Sequence, residues 1–274
     1  MCSGRQRRKR WPQKKRKSSL MVWFRFFGLA VGLILLHGMV GCSSPDAPWC
    51  LMRAGDWSTD TMNWDAPSDL AITFFNHLEV ECSIHDSNQV ELVWSGPSNL
   101  LAHASATLSG NELEIDHEDR CQWTRDLSHV VHVKVSAPHL IQVELNGQGS
   151  FKLNYLDSSG HLKVDAREYA GTIDLDLVLD FATVKLQNGA TQANIRGNVH
   201  TFEGYSSGLS SLNASSCDAD YAFIHQSGIS GLRFTSRAYA YVRIDAPGDV
   251  FGGVEPPMDW ELNQTGSGEL HWEN

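Results

Sequence analysis

Small residues recur at a near-constant interval through the second half of this chain, and that period constrains the fold more than any other feature. Gly149 (NGQGSF), Gly171 (YAGTID), Thr191 (NGATQA), Ser210 (SGLSSL), Ser230 (SGISGL), Gly248 (APGDVF) and Gly268 (TGSGEL) are separated by 22, 20, 19, 20, 18 and 20 residues. Each interval holds one or two short stretches of alternating apolar and polar residues, such as 172–181 (TIDLDLVLDF), 183–188 (TVKLQN), 221–227 (YAFIHQS) and 239–246 (YAYVRIDA). Alternation of period two marks a half-buried strand. One such unit cannot bury its own apolar face, whereas stacked units share a continuous core. With rungs about 4.8 Å apart, six or seven of them make a rod roughly 30 Å long. Small residues at fixed phase suit corners, where backbones approach closely. A meandering β-sandwich is the competing arrangement, but its turns need not recur at one register. The expected fold is all-β, a solenoid with rungs of about 20 residues.

The first half is also β in pattern. LEVEC (78–82), QVELVW (89–94), ELEID (112–116) and VVHVKVSA (130–137) alternate, and no window of the body shows a convincing helical period. Residues 42–70 contain Pro45, Pro48 and Pro67 with several Asp and Ser and no period, and read as a tether becoming ordered near Cys50 and Trp57. The expected division is a leader over 1–41, a tether over 42–70 and a single domain over 71–274.

Charge separates the leader from the body. Residues 1–41 hold ten Lys or Arg and no acidic residue, which leaves 12 basic against 32 acidic residues, a net of −20, for everything after them. A body that acidic repels phosphate backbones, so nucleic acid is excluded as a natural partner. Within the leader, the basic stretch is followed by an apolar run from Phe26 to Leu36 and by Gly38 and Gly41. That order describes an export signal. Met21 is an alternative start that leaves a compact signal with Arg25. An uncleaved anchor helix is the rival reading, although Phe26 to Cys42 spans only 17 residues interrupted by His37, short for a membrane crossing. Export puts the remaining cysteines, Cys50, Cys82, Cys121 and Cys217, in an oxidising compartment. They allow three pairings, and none belongs to a CxxC motif that would suggest zinc or redox chemistry.

Several residues have chemical potential. GYSSG (204–208) matches the nucleophile-elbow pattern with Ser206 as nucleophile, and Asp218, Asp220 and His225 as conceivable partners. No helix follows it, so a repeat corner is the expected role. Asp174, Asp176 and Asp180 share one parity of their strand and offer a cation site, but such residues more often form the wet face of a strand whose Ile173, Leu175, Leu177 and Leu179 point inward. His129, His132, His139, His161, His200 and His225 are scattered without a zinc motif. Trp94, Trp123, Trp260 and Trp272 offer rings for stacking on sugars, with packing at the solenoid's end as the expected use. No paired carboxylates are singled out for glycosidase chemistry. No metal or other cofactor is expected.

Two resemblances add to this reading. MVGC (39–42) resembles the lipobox of bacterial lipoproteins, with Met39 where Leu is commoner, which implies that Cys42 is lipidated and becomes the N-terminus. Ser43 and Ser44 after it resemble outer-membrane sorting residues. DAPWCLMRAGD (46–56), the stretch 99–126 containing CQWTR, VHVKVSAPHLIQVELNGQGSF (131–151) and DVFGGVEPPMDWELNQTGSGEL (249–270) resemble successive segments of GIN-domain lipoproteins, also called putative auto-transporter adhesin head domains. That resemblance spans essentially 46–272 and implies a right-handed, single-stranded β-helix-like fold without an established activity. It also implies a Cys50–Cys121 disulfide, since both segments belong to the family's N-terminal module. Cys82–Cys121 remains the rival. The expected protein is a non-enzymatic outer-membrane lipoprotein of a Gram-negative bacterium. It meets the membrane through its lipidated N-terminus and presents a surface to a glycan or protein ligand. A polysaccharide lyase or glycosidase on a β-helix scaffold is the alternative.

Overall fold

The computed structural model describes residues 55–117 and 130–273. Cys42, Cys50, Cys121, His129 and Trp123, and with them the lipidation and Cys50–Cys121 expectations, lie outside the described residues. The described chain belongs to a compact unit running from Ala54 to the C-terminus. It is a β-solenoid of about seven turns with rungs of about 20 residues. Among the described residues the one helix, α1 (Ser98–Leu101), has four residues.

The C-terminal rungs stack in sequence order. β9 (His161–Gln187), β10 (Ala190–Gly208), β11 (Ser211–Gly228) and β12 (Leu232–Ile244) pair in parallel. β12 then pairs with both β13 (Val250–Gly252) and β14 (Asp259–Gln264), and β13 pairs with β15 (Leu270–Trp272). Partners such as Gln192 and Thr172, Leu212 and Leu232, or Val250 and Leu270 are one repeat apart. The short strands expected from the alternation are here continuous. β9 alone runs through 27 residues, because parallel ladder hydrogen bonds carry on around the bends.

The period rests on backbone contact at the corners. Gly149 stacks on Gly171, and Gly171 on Thr191. A Cβ on Gly171 would lie 1.9 Å from the Gly149 carbonyl oxygen, and one on Gly268 would lie 2.2 Å from that of Gly248. Where the column carries Thr191 and Ser210 instead, their hydroxyls satisfy the corner. Thr191 Oγ1 donates to the Tyr169 carbonyl at 2.7 Å, and Ser210 Oγ accepts the Thr191 N–H at 3.2 Å. Buried carbonyls and amides thus keep partners.

The N-terminal end departs from sequence order. β2 (Ala71–Phe74) lies in parallel between β6 (Glu112–His117) and β8 (Gln142–Leu156), and β3 (His77–Ile84) lies between β7 (Val131–Ala137) and β8. The turn made first is therefore interior, and β6 and β7 form the rung beyond it. β4 (Gln89–Pro97) is antiparallel to β7, β1 (Trp57–Asp65) is antiparallel to β4, and β5 (Ala104–Ser109) is antiparallel to β6. Among the described residues β1 and β5 each have a single partner and form the edges at that end. β1 lies within the 42–70 segment.

One continuous core fills the rungs. Phe151, Ile173, Ala193, Leu212, Leu232 and Val250 stack in register, all at most 2% exposed. On another face the inner column is Ala182, Phe202, Ala222 and Ala240, where a single large ring sits between small neighbours.

Candidate functional site

That inner column determines what stands outside it. With alanines turned inward, the alternation of YAF (221–223) and YAY (239–241) sends the aromatic rings to solvent. Three outward columns result. Phe181, Thr201, Tyr221 and Tyr239 form the first. Thr183, Glu203, Phe223, Tyr241 and Glu261 form the second, and Lys185, Tyr205, His225, Arg243 and Asn263 the third. Tyr221 and Phe223 are 39% and 40% exposed, unusual for rings in the middle of a sheet. A groove of about 360 Å³ runs between the second and third columns, from Thr183 and Lys185 to Tyr241 and Arg243.

The side chains of this face hold one another in place. Phe223 lies 6.1 Å from Tyr239 between ring centroids, and Tyr205 meets His225 edge-on at 5.0 Å. His200 meets Tyr221 edge-on at 5.2 Å and bonds Asp220 at 2.9 Å. At the groove's far end Asp245 receives Arg243 at 2.7 Å, Thr265 at 2.8 Å and His225 at 2.9 Å. The Arg243 hydrogen bond, then those of Thr265 and His225, hold the Asp245 carboxyl well below the usual range. Loss of solvent around its hydroxyl, then the nearby Glu261 carboxylate, push Tyr239 above its ordinary value. A platform of exposed rings with a few fixed polar groups can grip a partner that is itself partly apolar and partly hydroxylated.

A second cleft, of about 600 Å³, lies against the loop 253–258. The Ser236 hydroxyl there is buried without a hydrogen-bond partner, while Arg237 is engaged by Asp220 at 3.3 Å. It lacks the stacked rings of the groove.

The residues singled out from sequence separate clearly. Ser206 is fully buried and donates to the Ser210 carbonyl at 2.8 Å, so GYSSG is a corner and its hydroxyl is no exposed nucleophile. Ile173, Leu175, Leu177 and Leu179 point inward as expected. Asp174, Asp176 and Asp180 each have a partner: Asn194 at 3.1 Å, Arg196 at 3.1 Å and His161 at 3.5 Å. No group of metal-ligating side chains gathers among the described residues. His132 pairs with Glu79 at 3.1 Å and His139 meets the Tyr155 hydroxyl at 3.2 Å. Trp94 is buried beneath the N-terminal cap, and Trp260 and Trp272 pack edge-on at 5.7 Å at the other end. Cys82 and Cys217 are buried thiols, and burial pushes Cys217 up to about 12. The aromatic face itself escaped the sequence reading, which asked about tryptophans. The signal was present in 221–223 and 239–241, where alanine is flanked by two rings of the same parity.

Comparison with known proteins agrees with this architecture. A family model described as putative auto-transporter adhesin, head GIN domain, matches residues 70–256. Among solved structures, a putative adhesin from Bacteroides fragilis is similar with a TM-score of 0.63 at 14% identity, over 78% of this chain and 97% of that one. A putative adhesin from Parabacteroides merdae gives a TM-score of 0.54 at 14% identity, over 80% and 97%. A putative lipid binding protein from Parabacteroides distasonis gives 0.52 at 15% identity, over 79% and 97%. Identities this low show a shared fold. A comparison with curated proteins finds no match.

Proposed function

The chain belongs to the family of putative auto-transporter adhesin head GIN domains, and from that premise we propose that it is a non-enzymatic adhesive lipoprotein of the Gram-negative outer membrane. Its contact surface in this reading is the aromatic face of the C-terminal rungs. The observation that carries the proposal is the outward display of Tyr221 and Phe223, 39% and 40% exposed, beside the half-buried Tyr239 and Tyr241 on the next rung, because a contiguous exposed aromatic patch marks a contact surface. A stiff solenoid suits the task, since each rung is held by its neighbours and the face keeps its shape under load. The membrane anchor is the lipidated Cys42, supported by the basic, apolar and small-residue order of the leader.

Two measurements test the proposal. Mass spectrometry of the protein from membranes is expected to find diacylglycerol-modified Cys42 at the N-terminus, and a mature form starting elsewhere refutes the anchor. Cells or beads displaying the full chain are expected to adhere to bacterial or host surfaces, and the double variant Tyr221→Ser, Phe223→Ser to lose most of that adhesion. Unchanged adhesion by the variant removes the aromatic face from the function.

A further inference from the structure

The charges of the groove point to one class of ligand. Of its three basic side chains, Arg243 and His225 are both taken by Asp245. Lys185 lines the same groove and pairs with no carboxylate among the described residues. The groove's Glu203 accepts a hydrogen bond from the Thr183 hydroxyl at 3.1 Å and keeps its charge, so the anion of a ligand is favoured only on the Lys185 side of the groove. The body as a whole, at a net charge of −20, repels polyanions, so an unpaired cation in the groove favours a ligand that brings one anionic group against it rather than a densely charged chain. Lys185 shares its column with Tyr205, His225 and Arg243, so the groove crosses four rungs, roughly 14 Å from end to end. The rung spacing of about 4.8 Å is close to the length of one pyranose unit in an extended chain. A glycan lying along the solenoid axis therefore meets equivalent positions with successive sugars. Phe223 and Tyr241 occupy adjacent rungs of the neighbouring column and offer apolar ring surface to the C–H faces of such sugars.

We propose that this groove binds an acidic glycan, a run of about three pyranose units whose carboxylate meets Lys185 while its rings pack on Phe223 and Tyr241. This rests on the reading of the aromatic face as the contact surface and adds the ligand class. Arg243, His225 and Asp245 serve as a preformed hydrogen-bonding wall for the sugar hydroxyls.

Calorimetry of the full chain with a trisaccharide carrying a single uronate and with its carboxyl-reduced, neutral counterpart tests the proposal. The acidic trisaccharide is expected to bind about tenfold tighter than the neutral one. K185M is expected to weaken the acidic ligand about tenfold and so abolish that difference. F223A and Y241A are expected to weaken both ligands. All three positions face solvent, and unchanged melting temperatures confirm that the variants are folded. Equal affinity of the wild-type protein for the two sugars, or an unaffected K185M, overturns the carboxylate assignment. If neither sugar binds while adhesion still depends on Tyr221 and Phe223, the glycan proposal falls and the adhesive face stands. If the acidic sugar binds through Lys185 but displayed protein does not adhere, the adhesive reading falls and the binding site stands.

Discussion

Gly197 shows how strictly single positions are set by the stacking. Its φ of +108° lies where side-chain-bearing residues are strained, and an added Cβ would fall 2.0 Å from the Leu177 carbonyl oxygen. Relief requires the two rungs to part, which breaks ladder hydrogen bonds on both. Gly197→Ala is therefore expected to destabilise the domain by about 2 kcal/mol or more, seen as a lower midpoint in urea with unchanged binding in any unaffected rung. Asp245 makes a different prediction, about pH. Its native carboxyl is held below the ordinary value by Arg243 first, then Thr265 and His225. A depressed carboxyl contributes stability that is present above about pH 3.9 and is lost as pH falls from there towards the native value. Asp245→Asn should accordingly melt below the wild-type protein at pH 7, and the gap should close in strong acid. A gap independent of pH would show that Asp245 acts only through shape. At this scale the sequence was most legible at the corners, since contact with backbone one repeat away leaves room only for small residues such as Gly171. The partners of Asp245 were illegible, because Thr265 and His225 are each 20 residues away and only the rung register brings them together.

Among elements, the inner column Ala182, Phe202, Ala222, Ala240 explains both a packing rule and the external face. Phe202 is 1% exposed and has an alanine on the rung to either side. The ring of Phe202 fills the space that the alanines on its two flanking rungs leave. Phe202→Ala is expected to cost about 3–5 kcal/mol by opening a cavity, whereas Ala222→Phe overpacks the same column and costs about 1–3 kcal/mol. Combining the two is expected to cost less than the sum, and strict additivity in chemical denaturation would show that the positions do not share a cavity. Alternation alone revealed the strands YAFIHQS and YAYVRIDA but not their parity, because Tyr, Phe and Ala all read as apolar. Register against Phe202 decides the matter, and register is a long-range property. The placement of β2 between β6 and β8 was hidden for the same reason: some 40 and 70 residues separate its partners along the chain.

The two ends of the solenoid differ. At the N-terminal end β1 and β4 cover the last rung in antiparallel fashion, and Leu92 and Trp94 are buried there. At the other end β14 pairs with β12 alone among the described residues, and every residue from Asp259 to Gln264 is exposed. Trp260 and Leu262 continue the inner columns of Ala240 and Val242, yet they remain 42% and 39% exposed because no described rung lies beyond them. In a repeat structure, stability is a sum of rung terms and interface terms, so a rung with one neighbour lacks half of the interface energy. Local opening should therefore be cheapest at β14 and β15 and grow inward. Native-state hydrogen exchange is expected to show the fastest strand amides in 259–264 and 270–272, slower ones in β12, and the slowest in β9 and β10, which have complete rungs on both sides. Trp260→Ser should leave the protection of β9 unchanged, since the opening of the last rung need not reach the centre. Uniform protection along the rod would mean that the solenoid opens as one unit and that its open end carries no local weakness.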